Sequence, residues 1–190
     1  MNKRERLSVL QALNEQCRAC FLIHSRNKLV FGEGDPDCNL MFIAEAPGRT
    51  EDEQGRPLIG RSGTLLRNLI TAIGIKVENV YLANICKCRP PKNRTPEDGE
   101  IEICIKYLKK QIEIISPKFL ILLGKTAVRG LLPEFGSKPV NYLRAVSKEN
   151  LLKYENIPVI VTYHPSALLY DPSKKSLVAD DFRYIQAVMQ

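Results

Sequence analysis

Apolar residues recur along this chain with two kinds of spacing. Leu7, Leu10 and Leu13 lie three apart among polar residues, which predicts an amphipathic helix over Lys3–Glu15. Leu65, Leu66, Leu69, Ile70 and Ile73 repeat at helical intervals across Thr64–Ile73, and Gly74 is a natural stop. Continuous apolar runs are the second kind. Leu40–Ala44, Val80–Ala83, Phe119–Leu123 and Pro158–Thr162 read as buried strands. Thr95-Pro96-Glu97-Asp98 combines a capping hydroxyl, a proline for the first helical position and first-turn acids, so a helix should run from there to about Ile115. A short helix is expected from Gly124-Lys125 to Leu131, and an amphipathic one over Ser176–Met189. Gly32–Pro36 and the proline-rich stretch KCRPPKNRTP, residues 87–96, read as loops. Residues 133–156 read as irregular, with room for a strand pair.

Four apolar strands alternating with helices imply an α/β fold: a central four-stranded parallel sheet with helices on both faces, in one domain over residues 1–190. There is no internal repeat, low-complexity segment or linker. The stretch Ile43–Gly63 stands out. It joins the first strand to the next helix, carries Gly48, Gly55 and Gly60 among acids and arginines, and is long for a connector. Long loops in such domains are usually functional. In parallel sheets, ligands bind beyond the carboxyl ends of the strands. Glu45, Ala46, Pro47 and Gly48 follow the first strand, Asn84 the second, Gly124 and Lys125 the third, and His164 and Ser166 the fourth. An acid, an amide, a glycine-led helix start and a histidine thus converge on one edge.

Composition narrows the partner. Lys and Arg total 28 against 21 Asp and Glu, a net charge of +7, which favours an anionic partner such as nucleic acid. The charged N-terminus MNKRERL does not read as a signal peptide, and no run approaches the roughly 18 apolar residues of a membrane span. A cytoplasmic protein is expected. Six cysteines in a reducing compartment argue against a disulfide framework. Cys17-x2-Cys20 has the spacing of a metal knuckle, with a redox dithiol or chance as alternatives. A second pair would come from Cys86, Cys88 and Cys104, and four thiolates suit zinc or an iron–sulfur cluster equally.

The strand-end residues suit a nucleobase. Asn84 offers one donor and one acceptor for a base edge, and His164 can donate to an oxyanion or move a proton. Pro165 keeps His164 extended. Helix starts at Gly63 and Gly124 could hold phosphates. No Walker A or dinucleotide glycine pattern is present.

EAPGRTEDEQGRPLIGRSG, KCRPPKNRTP and YHPSAL, in that order, resemble the family 4 uracil-DNA glycosylases, the iron–sulfur branch of that superfamily. The likeness runs from Cys17 to about Pro172. It implies a uracil-DNA glycosylase-like fold and a DNA repair enzyme. Such an enzyme flips uracil from single- or double-stranded DNA and hydrolyses its N-glycosidic bond, leaving an abasic site. It further implies a structural 4Fe-4S cluster on Cys17, Cys20, Cys88 and Cys104, with Cys86 outside the pattern. By the same likeness Asn84 reads the uracil edge, His164 bonds the O2 oxygen, and Glu45, with Glu51 as helper, positions water or supports the sugar cation. Ala46 takes the place of a water-orienting aspartate, Gly48 that of a bulky thymine-excluding residue, and Asn93 lies near the pocket. Ser62, Gly63, Arg89, Lys92, Arg94 and Ser166 are the implied backbone contacts, and Leu168 or Leu169 the wedge. A monomer is expected. Two residues depart from the pattern: Leu58, where a stacking phenylalanine is usual, and Ala44, where glycine is usual. They leave room for a weak enzyme, a shifted base preference or a silent damage-binding module. A zinc-stabilised nucleic-acid binder is a further alternative.

Overall fold

In the computed structural model, which describes residues 1–149 and 151–189, the chain begins with helix α1, Lys3–Glu15. Asn2 and Glu5 close a reciprocal capping box at its start. Strands β1 (Glu33–Gly34) and β2 (Leu40–Ala44) follow, then helices α2 (Arg49–Gln54) and α3 (Arg61–Ala72). Next come β3 (Tyr81–Asn84), α4 (Asp98–Ile115), β4 (Phe119–Leu123) and α5 (Lys125–Leu131). The chain ends with α6 (Val140–Lys148), β5 (Lys153–Tyr154), β6 (Ile157–Thr162), α7 (Ser166–Tyr170) and α8 (Lys175–Val188).

The sheet order is β1-β3-β2-β4-β6-β5. The four apolar strands expected from the sequence form its parallel centre, and helices cover both faces. The four-strand expectation is extended: β1 and β5 add short antiparallel ladders, making a six-stranded sheet. Alternation within β2 builds two cores. Met41 and Ile43 pack with Leu7, Leu108, Ile112, Val128 and Leu143 on one face. Leu40, Phe42 and Ala44 pack with Leu66, Ile70, Phe182 and Ile185 on the other. Both faces are covered, so the strands read as unbroken apolar runs. From β2 the chain turns to β3 on one side, then crosses to β4 on the other. That reversal is a topological switch point, where a doubly covered sheet opens a crevice at its carboxyl edge.

Four expectations need correction. Ile43–Gly63 is not one long loop, because α2 sits inside it between Gly48 and a left-handed Gly55. Its sequence RTEDEQ has no apolar stripe, so periodicity could not reveal it. Helix α4 starts three residues after Thr95. Glu97 is its cap, completed by Glu100, whose carboxylate also pairs with Arg94 at 2.7 and 2.8 Å. Residues 140–148 are helical rather than irregular. The buried face of α6 carries Arg144 and Ser147 beside Leu143, which breaks the apolar signal. Glu33–Gly34, expected in a loop, pairs with β3.

Candidate active site

The carboxyl ends of β2, β3, β4 and β6 bring the expected residues together. Asn84 ends β3 opposite Ala44, and the next two residues stay zipped to β2: Ile85 N–H donates to Ala44 at 2.8 Å and Cys86 N–H to Glu45 at 3.0 Å. The Asn84 side chain is 1% exposed, yet among the described residues neither its Oδ1 nor its Nδ2 has a hydrogen-bond partner. Its main-chain carbonyl accepts from Lys87 Nζ at 2.9 Å. Lys87 is fully buried, also donates to Gln111 at 2.5 Å, and is pushed down to about 8 by burial. A buried amide left unpaired is costly, so an unpaired amide on a backbone clamped this firmly makes Asn84 a candidate ligand contact.

Glu51 projects from α2 into the same region and is buried. Its Oε1 accepts the N–H groups of Ile59 at 3.1 Å and Gly60 at 2.8 Å. A Cβ on Gly48 would stand 2.8 Å from its Oε2, so the missing side chain at 48 makes room for this carboxylate. Asp52, fully buried beside it, accepts Asn27 N–H at 2.8 Å and Asn27 Nδ2 at 2.5 Å, tying α2 to the segment after the cysteine knuckle. Leu58 has φ 52, a left-handed backbone that costs a non-glycine residue roughly 1–2 kcal/mol. Its side chain is buried in the core layer that includes Ala44. A Cβ at Gly63 would lie 2.0 Å from the Leu58 carbonyl carbon, so only glycine fits there.

His164 follows β6, and a Cβ on Gly124 would stand 3.2 Å from its Cβ, so the ends of β4 and β6 meet. Its Nδ1 accepts the Ser166 N–H at 3.2 Å and lies 2.7 Å from Ser166 Oγ. A backbone N–H can only donate, which assigns the proton of the neutral ring to Nε2. Burial pushes His164 down to about 4, against the opposing pull of Glu51. The ring is therefore a neutral donor at physiological pH. An amide offering an acceptor and a donor side by side, and a neutral imidazole N–H, suit a planar ring bearing carbonyls and an imide N–H.

The other expected residues are placed less uniformly. Glu45 and Ala46 are half-buried just past β2, with Ala46 against the core. Asn93 has φ 56, and its Oδ1 accepts from Arg89 at 2.7 Å, so these two support each other in the proline-rich turn. Arg94 is committed to Glu100. Ser62 is half-buried in the first turn of α3, while Lys92 is exposed. Leu168 is buried in the core, whereas Leu169 is 43% and Tyr170 88% exposed. A cleft of about 550 Å³ lies away from the strand ends, beside the β1 edge, and is lined by Glu33, Arg56 and Arg67.

Comparison with known proteins settles the family. Residues 31–186 match the model of the uracil DNA glycosylase superfamily. The chain belongs to that superfamily. It groups with relatives named type-4 uracil-DNA glycosylases. One from Sulfurisphaera tokodaii is 39% identical over 90% of this chain and 79% of its own. One from Archaeoglobus fulgidus is 36% identical over 89% and 86%, and one from Thermotoga maritima 36% identical over 91% and 88%.

In this glycosylase chain the thiols of Cys20, Cys88 and Cys104 lie close enough to feel one another's charge, and Cys17 acts on Cys20. Burial pushes Cys88 up to about 11, opposed by Arg26, whose Nη1 donates to its Sγ at 3.3 Å. Cys104 is drawn down to about 7, first by a hydrogen bond from Cys86 and further by Lys87 N–H at 3.2 Å. Cys86, expected to be an ordinary strand-end residue, is thus the fully buried neighbour of Cys104. Among the described residues, no three His, Cys, Asp or Glu side chains close around a single metal ion. N–H donors aimed at two of the four sulfurs suit a thiolate set that carries negative charge. Sequence reasoning missed Asp52, Lys87, Arg26 and Arg67. Arg67 had a signal: it lies four residues past Gly63, on the same helical face.

Proposed function

We propose that the chain is a monofunctional uracil-DNA glycosylase that begins base excision repair by hydrolysing the N-glycosidic bond of uracil and leaving an abasic site. The observation that carries this reading is the Asn84 amide, buried with both polar atoms unpartnered at the sheet's carboxyl edge. Uracil presents a carbonyl and an imide N–H side by side, the complement of that amide. Reaching it requires base flipping, which costs a few kcal/mol.

In the proposed mechanism Asn84 orients the flipped base. His164, held neutral by burial and turned by Ser166, donates from Nε2 to O2, where negative charge collects as the bond to the sugar breaks. Glu45, half-buried beyond β2, positions the attacking water or supports the positive sugar. Glu51 is bonded to the 59–60 turn, so its role is to hold the pocket wall at Gly48 and Leu58 rather than to move a proton. Ala46 cannot orient water, so leaving-group stabilisation carries most of the rate. Arg89, Lys92, Ser62, Gly63 and Ser166 are the proposed backbone contacts on single- or double-stranded DNA. Exposed Leu169, rather than buried Leu168, is the candidate wedge. Arg94 serves the α4 cap instead of DNA.

Cys17, Cys20, Cys88 and Cys104 would hold a 4Fe-4S cluster. When bound, the cluster supplies a structural tie between the N-terminal segment, the proline-rich turn and α4. Arg26 and the Lys87 N–H would stabilise the sulfur charge. Among the described residues no helix is long and apolar enough to cross a membrane. A monomer working in the cytoplasm completes the reading.

The test is incubation of purified protein with a labelled oligonucleotide carrying one uracil, then alkali, beside His164→Ala and Asn84→Ala. Strand breakage that falls sharply in both variants is expected. No breakage by protein carrying an intact cluster would refute the enzyme reading and favour a silent damage-binding module.

A further inference from the structure

The turn at Leu58 is gripped from two sides by groups of different kinds. Glu51 takes its N–H groups at Ile59 and Gly60 from the pocket side. Arg67 takes its carbonyls from behind: Nε donates to Leu58 at 2.9 Å and Nη2 to Pro57 at 3.3 Å. Arg67 Nη2 is aimed by Glu33 Oε1 at 2.7 Å, and Glu33 is held in turn by Arg56 at 2.8 and 3.0 Å. This chain of ion pairs lines the cleft at the β1 edge, not the strand ends. Arg67 is therefore placed to act on the base site only through Leu58.

The arrangement suits a wall that must not yield. Leu58 holds a left-handed backbone that it does not prefer, and Gly63 permits the close approach that such a turn needs. Without its carbonyl anchors, the turn can relax toward ordinary backbone angles, and the buried Leu58 side chain moves with it. Gly48, facing the same turn across Glu51, has no side chain to compensate. Confinement of the base on this side then rests on how firmly residues 57–60 are held.

We infer that Arg67, aimed by Glu33, is a positioning residue that sets how tightly the base site is confined, and hence how well uracil is preferred over 5-substituted uracils. The inference rests on the glycosylase reading. It does not require Arg67 to touch DNA or base.

The experiment uses the full chain with its cluster and measures kcat and KM on oligonucleotides carrying uracil or thymine opposite guanine. Melting curves and pH profiles are recorded alongside. In Arg67→Met, KM for uracil should rise and the uracil-to-thymine preference should fall, each by about tenfold, as expected for one lost charge-assisted anchor. Its kcat and pH profile should hold. Glu33→Gln should shift the preference in the same direction by less, and Arg67→Lys should restore part of it. In a Leu58→Gly background, where glycine accepts the turn unaided, Arg67→Met should add no further change. A lower melting midpoint with KM and preference unmoved would make Arg67 a fold support only and overturn the inference. A fall in kcat alone would also overturn it. If Arg67→Met does not fold, Glu33→Gln and Arg67→Lys decide by the same criteria. A parent protein that cleaves no uracil would instead remove the glycosylase reading itself.

Discussion

Replacing Asn84 by alanine should separate stability from activity in opposite directions. The side chain is fully enclosed, and both its polar atoms lack partners among the described residues, so the free protein carries two unmet hydrogen-bonding groups. Each such group costs about 1–3 kcal/mol when buried. Truncation removes both and leaves a small void, so the folded state should keep its stability or gain about 1–2 kcal/mol. The Lys87 bond to residue 84 survives, because it goes to the main-chain carbonyl. For a domain of this size each kcal/mol moves the melting midpoint by about 2–4 °C. With substrate, on the proposed reading, the variant should lose two hydrogen bonds to the base edge, together about 3 kcal/mol, or roughly two orders of magnitude in rate. Paired melting curves and single-turnover excision assays read both quantities. A variant that melts several degrees lower, with activity falling only as folded protein is lost, would show that Asn84 serves the fold and would refute the argument.

Three further predictions follow from buried charge. His164 is about 4 in the folded chain and near 6.5 unfolded, so its contribution to stability is whole above about 6.5 and is lost as pH falls toward 4. Urea midpoints should decline over that window and decline less in His164→Gln, while excision stays level from pH 8 down to about 5. Asp181 is fully buried and accepts from Arg144 at 2.6 and 2.8 Å, Lys148 at 2.6 Å and Thr162 at 2.7 Å. Asp181→Ala strands the buried Arg144 and should cost about 3–5 kcal/mol in a denaturant titration. Asp52→Ala should cost about 1.5–3 kcal/mol, speed amide exchange at Asn27 and lower excision, because α2 carries Glu51.

The parallel core was legible because β2, β3, β4 and β6 are buried on both faces and leave unbroken apolar runs. Their ends then located Asn84, Gly124 and His164 without any contact information. What stayed hidden was held by polar groups. Helix α2 has no apolar stripe and depends on Asp52 meeting Asn27, a partner 25 residues away. Helix α6 buries an arginine whose charge is answered by Asp181 on α8. The strain at Leu58 was invisible because leucine normally avoids such a backbone. Of its supports, Gly63 read from the sequence as a phosphate-holding helix start, and Arg67 as part of an ordinary helix.

The two-residue strands at the sheet margins bear on how the protein survives its own synthesis. A parallel sheet built from segments such as FLILL and IPVIVT presents unpaired edges to other chains until it closes. Here β1 pairs with Tyr81 and Leu82 of β3, and β5 with Ile157 and Pro158 of β6, so each margin of the central four strands is capped over part of its length. The β1 cover depends on Gly34, where a Cβ would fall 2.0 Å from the Val80 carbonyl oxygen. Any larger residue there would lift the cover and bare the β3 edge. The expected consequence is cross-chain β-pairing and a falling yield of soluble protein, with every group at the strand ends intact.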